Sequence, residues 1–381
     1  MSALFVVGAF VAALGVRLRG LFGLPPTAAE AVDAWTAAVL PLTSLDAGRT
    51  AAAIASAAAV AVLVAAFARR RGTDGVSLVA AVAALALLDP LGLVVGREAG
   101  GGAFLQLASA LITGLIVAPP RARAGRLVIV LLAAVALLLA LPADCATLAA
   151  VPSDPALAAW NSFLGPLAGV PLLLLHHLGY AIVPLAAAGL DRERAGRLAA
   201  LAVAGVLLAT AIDGGVPLRL SSFGAVGPPV IALAGLALGR VAEGVGTRFA
   251  LPGLVLLIVA VNAPVLVSDL RASHRFPWPI ALKKLPEGDG PIWTTQPAPL
   301  RLDTEREVRA LPSDADALAA LLDAGDATIL IPVEGGRAWA ADPPDLLAEL
   351  ESRRVADFEV RVRRFDLYRY ELRAFIFPPA R

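Results

Sequence analysis

The chain has 381 residues, 58% hydrophobic and 17% charged, with a formal net charge of +1. Soluble domains are about one quarter charged, so this composition points to a membrane protein, and the balanced charge offers no basic field for nucleic acid. One cysteine, Cys145, excludes an intramolecular disulfide.

The N-terminus lacks the basic region and cleavage site of a signal peptide, so Ala3–Val16 reads as a retained first span. It is short for a bilayer, which needs about 20 apolar residues, and Arg17 and Arg19 are expected to snorkel from its end. The loop Arg17–Arg49 is the first long polar interruption, and its Glu30 and Asp33 fall three residues apart on a short predicted helix. Apolar runs follow at Thr50–Ala68, Val76–Gly96, Ala103–Ala118, Leu127–Ala143, Phe163–Leu190, Leu198–Ile212, Phe223–Gly239 and Phe249–Ser268. The expected fold is a polytopic α-helical membrane protein of about nine spans.

Charge alternates between the connections. Arg69–Arg71, Arg121/Arg123/Arg126, Arg192/Arg194/Arg197 and Arg240/Arg248 mark one set, whereas Arg49, Arg97 and Arg219 stand alone in the other. Arginine-rich loops stay cytoplasmic, so the N-terminus is expected inside and the Arg17–Arg49 loop outside. Trp35, Trp160 and Trp278 fall on the expected outer side, where indole rings favour the headgroup zone. Arg271, Arg275, Lys283 and Lys284, after the last span, run against this rule.

The pattern then changes from a span domain (1–270) through an interfacial linker (271–285) to a small α/β domain (286–381), expected extracytoplasmic. Pro291–Gln296 and Ala327–Val333 read as strands, and Asp314–Ala324, capped by Ser313, and Pro344–Arg353 as helices. Phe358–Val362 and Tyr368–Ile376 alternate with period two, predicting a terminal antiparallel pair. No phosphate-binding glycine motif and no Cys/His cluster occurs there, so a protein partner is the expected use of this domain.

Three stretches carry a resemblance: LFGLPPTAAEAVDAWTAAVLPL, LDPLGLVVGREAGGGAFLQLASALI and RLSSFGAVGPPVIALAGLAL. Together they resemble the GT-C class of membrane glycosyltransferases, and within it the bacterial relatives of protein O-mannosyltransferases and aminoarabinose transferases. The resemblance implies a hexosyltransferase of the bacterial inner membrane that takes sugar from a polyprenyl-phosphate donor among the membrane lipids. It also implies a catalytic acid in the first outer loop. DAWT places Asp33 at the second acidic position and Val32 at the first; a shifted register puts Glu30 in the role.

Such chemistry asks for an outer carboxylate as base and outer cations for the leaving phosphate. Asp33 and Glu30 are the candidate bases, although Thr27-Ala-Ala-Glu30 also fits a capping box. Arg97, Arg219 and Arg49 are the candidate phosphate ligands, with a surface pair of Arg97 and Glu98 and a span cap at Arg49 as the plainer readings. His176 and His177 sit mid-span, where ionisable groups mark function unless a neighbouring helix binds them. Asp89 and Asp213 read as solvated span ends. No cofactor is assigned, and a divalent metal is left open. The interrupted acidic pair and short chain motivate a second reading, a catalytically silent GT-C-like scaffold or partner-binding subunit; a transporter using the histidines is the third.

Overall fold

Apolar periodicity becomes helix along most of the chain. The computed structural model describes residues 2–21, 45–71, 76–97, 101–140, 181–190, 193–213, 220–244, 247–270, 278–285, 290–295, 297–301, 304–312, 314–325, 327–334, 337–338, 346–353, 356–362 and 370–377. They form two compact units, a helical one up to Leu270 and a mixed one from Trp278 onward.

The helical unit consists of α1 (Ser2–Leu18), α2 (Leu45–Arg71), α3 (Val76–Leu87), α4 (Pro90–Val95), α5 (Gly102–Val117), α6 (Arg123–Ala140), α7 (Ile182–Ala188), α8 (Glu193–Asp213), α9 (Gly227–Gly244) and α10 (Thr247–Leu270), with a 3₁₀ turn at Leu220–Ala225. Among the described residues, three helices are long and apolar enough to cross a bilayer, within Asp46–Arg70, Arg123–Ala140 and Phe223–Val241. α1, α3, α5 and part of α10 are shorter apolar helices.

Small residues set the packing. Ala52, Ala55, Ala57, Ala59 and Ala66 along α2 are buried, which lets neighbouring backbones approach closely. The Phe223–Val241 stretch is 89% buried, whereas Arg123–Ala140 is 17% buried and exposes Leu127, Val128, Leu131, Leu132, Val135 and Leu138. An apolar helix with that much open surface is suited to lipid rather than water.

Two features differ from the expected spans. Val76–Gly96 is not one helix: it breaks between α3 and α4, because Pro90 lacks an N–H and Asp89 adopts extended geometry (φ −65°, ψ 111°) as the N-cap of α4. Arg17 does not snorkel but is fully buried between helices. The reason is local, since Ser56 on α2 and the Ala13 carbonyl give its guanidinium partners inside the bundle. The Phe163–Leu190 run is described only from residue 181.

The mixed unit holds α11 (Trp278–Leu282), β1 (Ile292–Thr294), α12 (Pro297–Arg301), β2 (Val308–Ala310), α13 (Ala315–Ala324), β3 (Ala327–Glu334), β4 (Arg337–Ala338), α14 (Leu346–Arg353), β5 (Ala356–Val362) and β6 (Tyr370–Phe377). The sheet order is β2-β1-β3-β6-β5, with β4 added to β3. β1 runs parallel to β2 and β3, while β6 is antiparallel to both β3 and β5, so the terminal strand pair is as expected.

Period-two alternation divides this core. Leu330, Leu372 and Ala374 join Trp278, Ile292 and Leu300 on one face; Ile329, Ile331, Phe375 and Phe377 join Leu318, Leu322, Leu346 and Leu350 on the other. Trp278, expected in the headgroup zone from the linker, is instead 1% exposed in the first of these clusters. Its ring finds more apolar contact there than an interface offers. Asp314, rather than Ser313, caps α13 by accepting from the Ala317 N–H at 3.0 Å.

Candidate functional site

The residues that draw attention lie at one end of the helical unit, where α1 ends and α2 begins. α1 closes with Arg17 and Leu18, and the chain turns through Arg19–Leu21. The last carbonyls of a helix lack intrahelical donors and carry its negative dipole end, so cations are favoured there. Arginines from elsewhere in the unit reach the carbonyls just past this helix end. Arg97, just beyond α4, donates from Nη2 to the Arg19 carbonyl at 3.0 Å, and Arg49 on α2 donates from Nη1 to the Leu21 carbonyl at 3.3 Å. Both side chains are almost wholly enclosed, Arg97 at 3% and Arg49 at 1% exposure. Arg97 is therefore not at the surface, and Glu98, its partner in the plainer reading, lies outside the described residues.

Deeper in the same end, four helices contribute one polar cluster. Arg17 Nε donates to Ser56 Oγ at 2.7 Å. Ser56 has one proton, and its oxygen lies 2.6 Å from Gln106 Oε1 and 3.1 Å from the Gly92 carbonyl oxygen. Asp89 accepts from the Gly92 N–H at 3.0 Å. It is fully buried, which corrects its reading as a solvated span end. Gly92 and Gly96, one turn apart, make this possible. A Cβ at Gly92 would lie 2.7 Å from Gln106 Nε2 and 2.8 Å from Asp89 Oδ2, and one at Gly96 would lie 2.7 Å from Ser56 Cβ.

An apolar groove of about 370 Å³ runs beside α5, lined by Leu105, Ala108, Ile112, Leu137, Leu201 and Leu208 among others. Gln106 turns toward the polar cluster, while Leu105 and Ala108 on the same helix face the groove. Ser109, also in its lining, donates to the Ala225 carbonyl at 2.6 Å.

The opposite end of the bundle gathers the arginine-rich connections. α2 and α5 run side by side in one direction, with Ser56 against Gln106 near their starts and Gly114 against Val62 and Ala66 further along. Arg194, near the start of α8, donates to the Val117 carbonyl at the end of α5, and Arg240 on α9 donates to the Ala188 carbonyl at the end of α7.

Of the residues singled out in the sequence, Arg49 and Arg97 are brought together around the exit of α1. Glu30, Asp33, Arg219, His176 and His177 lie outside the described residues. Arg17, Ser56, Asp89 and Gln106 were not assigned to a site by sequence reasoning. Their signal was available: single polar residues within apolar runs, and an Asp-Pro step inside an expected span. Among the described residues, no three His, Cys, Asp or Glu side chains converge as a metal site would require. No protein-family profile, curated protein or solved structure matches the chain.

Proposed function

We propose that the chain is a GT-C-like transferase that moves a sugar from a polyprenyl-phosphate donor to an acceptor hydroxyl at the outer face of a bacterial inner membrane. The observation that carries this reading is the convergence of Arg17, Arg49 and Arg97 at the bundle end from which the Glu30/Asp33 loop departs. A concentration of buried cations suits an anionic headgroup.

In the step itself, the acceptor oxygen attacks the anomeric carbon and forms the glycosidic bond as the bond to the phosphate oxygen breaks. Asp33, or Glu30 in the shifted register, takes the acceptor proton, and polyprenyl phosphate leaves with both electrons. Arg97, Arg219 and Arg49 stabilise its charge in this reading. The reading also takes in about nine spans with a cytoplasmic N-terminus, supported by the gathering of arginine-rich connections at the opposite end. The mixed unit serves as an extracytoplasmic, partner-facing domain, and a divalent metal remains compatible with the chemistry.

One observation favours the silent-scaffold reading instead. Arg49 and Arg97 already cap α1, which gives both a structural reason to be present. Transfer from radiolabelled polyprenyl-phosphate sugars in membranes separates the two. The transferase reading expects product with wild type and loss with Asp33→Asn or Glu30→Gln at unchanged protein level. Absence of product with every donor tried, or full activity in both variants, overturns the assignment.

A further inference from the structure

We propose that the mixed unit pairs with a second copy of this chain along the outer edge of β5, antiparallel and centred on Val360, so that two sheets join into one. The pairing is read from the sheet alone and stands whether or not the protein transfers sugar.

The two edges of the sheet are built differently. β2 is three residues long, and its central Arg309 is tied to Glu307. Short strands and charges are common devices that keep a sheet edge from pairing. β5 has seven residues, pairs with β6 along its whole length and, among the described residues, has no strand on its other side. In such a strand every second residue turns its N–H and C=O away from the sheet, and those groups call for partners.

The order of charges selects the partner. Strand alternation gives Phe358, Val360 and Val362 positions on one face and Asp357, Glu359 and Arg361 positions on the other. On the charged face the ladder to β6 already sets opposite signs across, with Glu359 opposite Arg373 and Arg361 opposite Glu371. A second β5, antiparallel and centred on Val360, repeats that order. Glu359 of each copy then stands opposite Arg361 of the other, and Phe358 opposite Val362. Centring on Glu359 or on Arg361 sets that charge against itself, and a parallel pairing in register sets all three charges against themselves. Opposite charges directly across a ladder stabilise it and like charges destabilise it, so this register is the one the strand favours with itself. The contact is two-fold and uses up the β5 edge of both copies.

Cysteine cross-linking of the full-length protein in native membranes, on a Cys145→Ser background, tests the register. Val360→Cys sets two thiols across the two-fold axis, where opposed Cα atoms are about 4.5–5.5 Å apart and a disulfide spans about 4.4–6.8 Å. Ala356→Cys sets them eight residues out of step, about 27 Å along a strand. Mild oxidation is expected to give several times more covalent dimer with Val360→Cys than with Ala356→Cys, and the unoxidised parent in detergent is expected to have the mass of two chains. Equal linking of both variants, linking of neither, or a single-chain mass for the parent overturns the pairing. Linking of Val360→Cys only to a different protein assigns the edge to an extended segment of that partner and overturns the second copy.

Discussion

Arg17 Nε donates to Ser56 Oγ at 2.7 Å, with both residues wholly enclosed. The bond joins the last turn of α1 to the first half of α2, and it explains why a cation at the end of a short apolar helix turns inward. A membrane-spanning helix followed by an arginine has two outlets for the charge, the headgroup layer or a polar partner on a neighbouring helix. Here Ser56, itself set against Gln106 and the carbonyl of Gly92, supplies the second.

The carbonyl caps of α1 carry a measurable load. Arg97→Ala removes a charged donor from the Arg19 carbonyl and is expected to cost about 1.5–3 kcal/mol. Arg97→Lys, a point charge without the planar fork, is expected to recover part of it. Thermal unfolding of the purified protein in one detergent checks both, and an Arg97→Ala midpoint equal to wild type would exclude the cap.

Gly92 and Gly96 are required by close contact. Gly92→Ala and Gly96→Ala each push a methyl into side chains under 3 Å away and are expected to destabilise by about 1–3 kcal/mol. Gly8→Ala, at a helical site with nothing within 4 Å, is expected to stabilise by about 0.5–1 kcal/mol. Opposite shifts in unfolding midpoint are the expected result; parallel shifts would refute the packing argument.

The open face of α6 reports on lipid. With Cys145→Ser as background, Leu131→Cys is expected to resist a charged, membrane-impermeant maleimide in intact membranes and to react after detergent is added. Leu131 is 56% exposed in the protein alone, so resistance reflects surrounding hydrocarbon rather than burial. Ready labelling in intact membranes would remove α6 from the bilayer.

In the mixed unit, Glu307 and Arg309 form an exposed pair in which Arg309 also lies 5.4 Å from the Trp293 ring centroid. The hydrogen bond from Arg309, and then its charge, hold the Glu307 carboxyl below its ordinary value. A lowered carboxyl stabilises above the unfolded value, about pH 4.3, and loses that contribution as pH falls through the lowered one. Glu307→Gln is therefore expected to melt slightly earlier than wild type at neutral pH and to coincide with it in strong acid. A gap that widened on acidification would reverse the sign of this linkage.

Sequence alone located most of the helices and the alternating strands because burial writes itself into period. α5, α8, α10, β3 and β6 all fall within a few residues of the apolar runs that announced them. What periodicity does not encode is which polar residue meets which. Arg17, Ser56 and Gln106 each look like an interruption until α1, α2 and α5 are packed, and Asp89 looks solvated until Pro90 is seen to break the helix. β2, β4 and α12 were missed because runs of two to five residues carry too few periods to register. The caps of α1 were hidden for another reason: a backbone carbonyl has no letter in the sequence.

Those caps also bear on biosynthesis. The Arg97 donor lies 78 residues downstream of the Arg19 carbonyl it satisfies, and the Arg49 donor 28 residues beyond Leu21. A ribosome therefore delivers α1 well before either partner exists, and the end of this helix waits for the start of α2 for one latch and for the chain beyond α4 for the other. Arg49 closes the first latch and Arg97 the second, so the rim of the bundle is completed in the order of translation, and a chain stalled before Arg97 emerges holds α1 by one clasp instead of two.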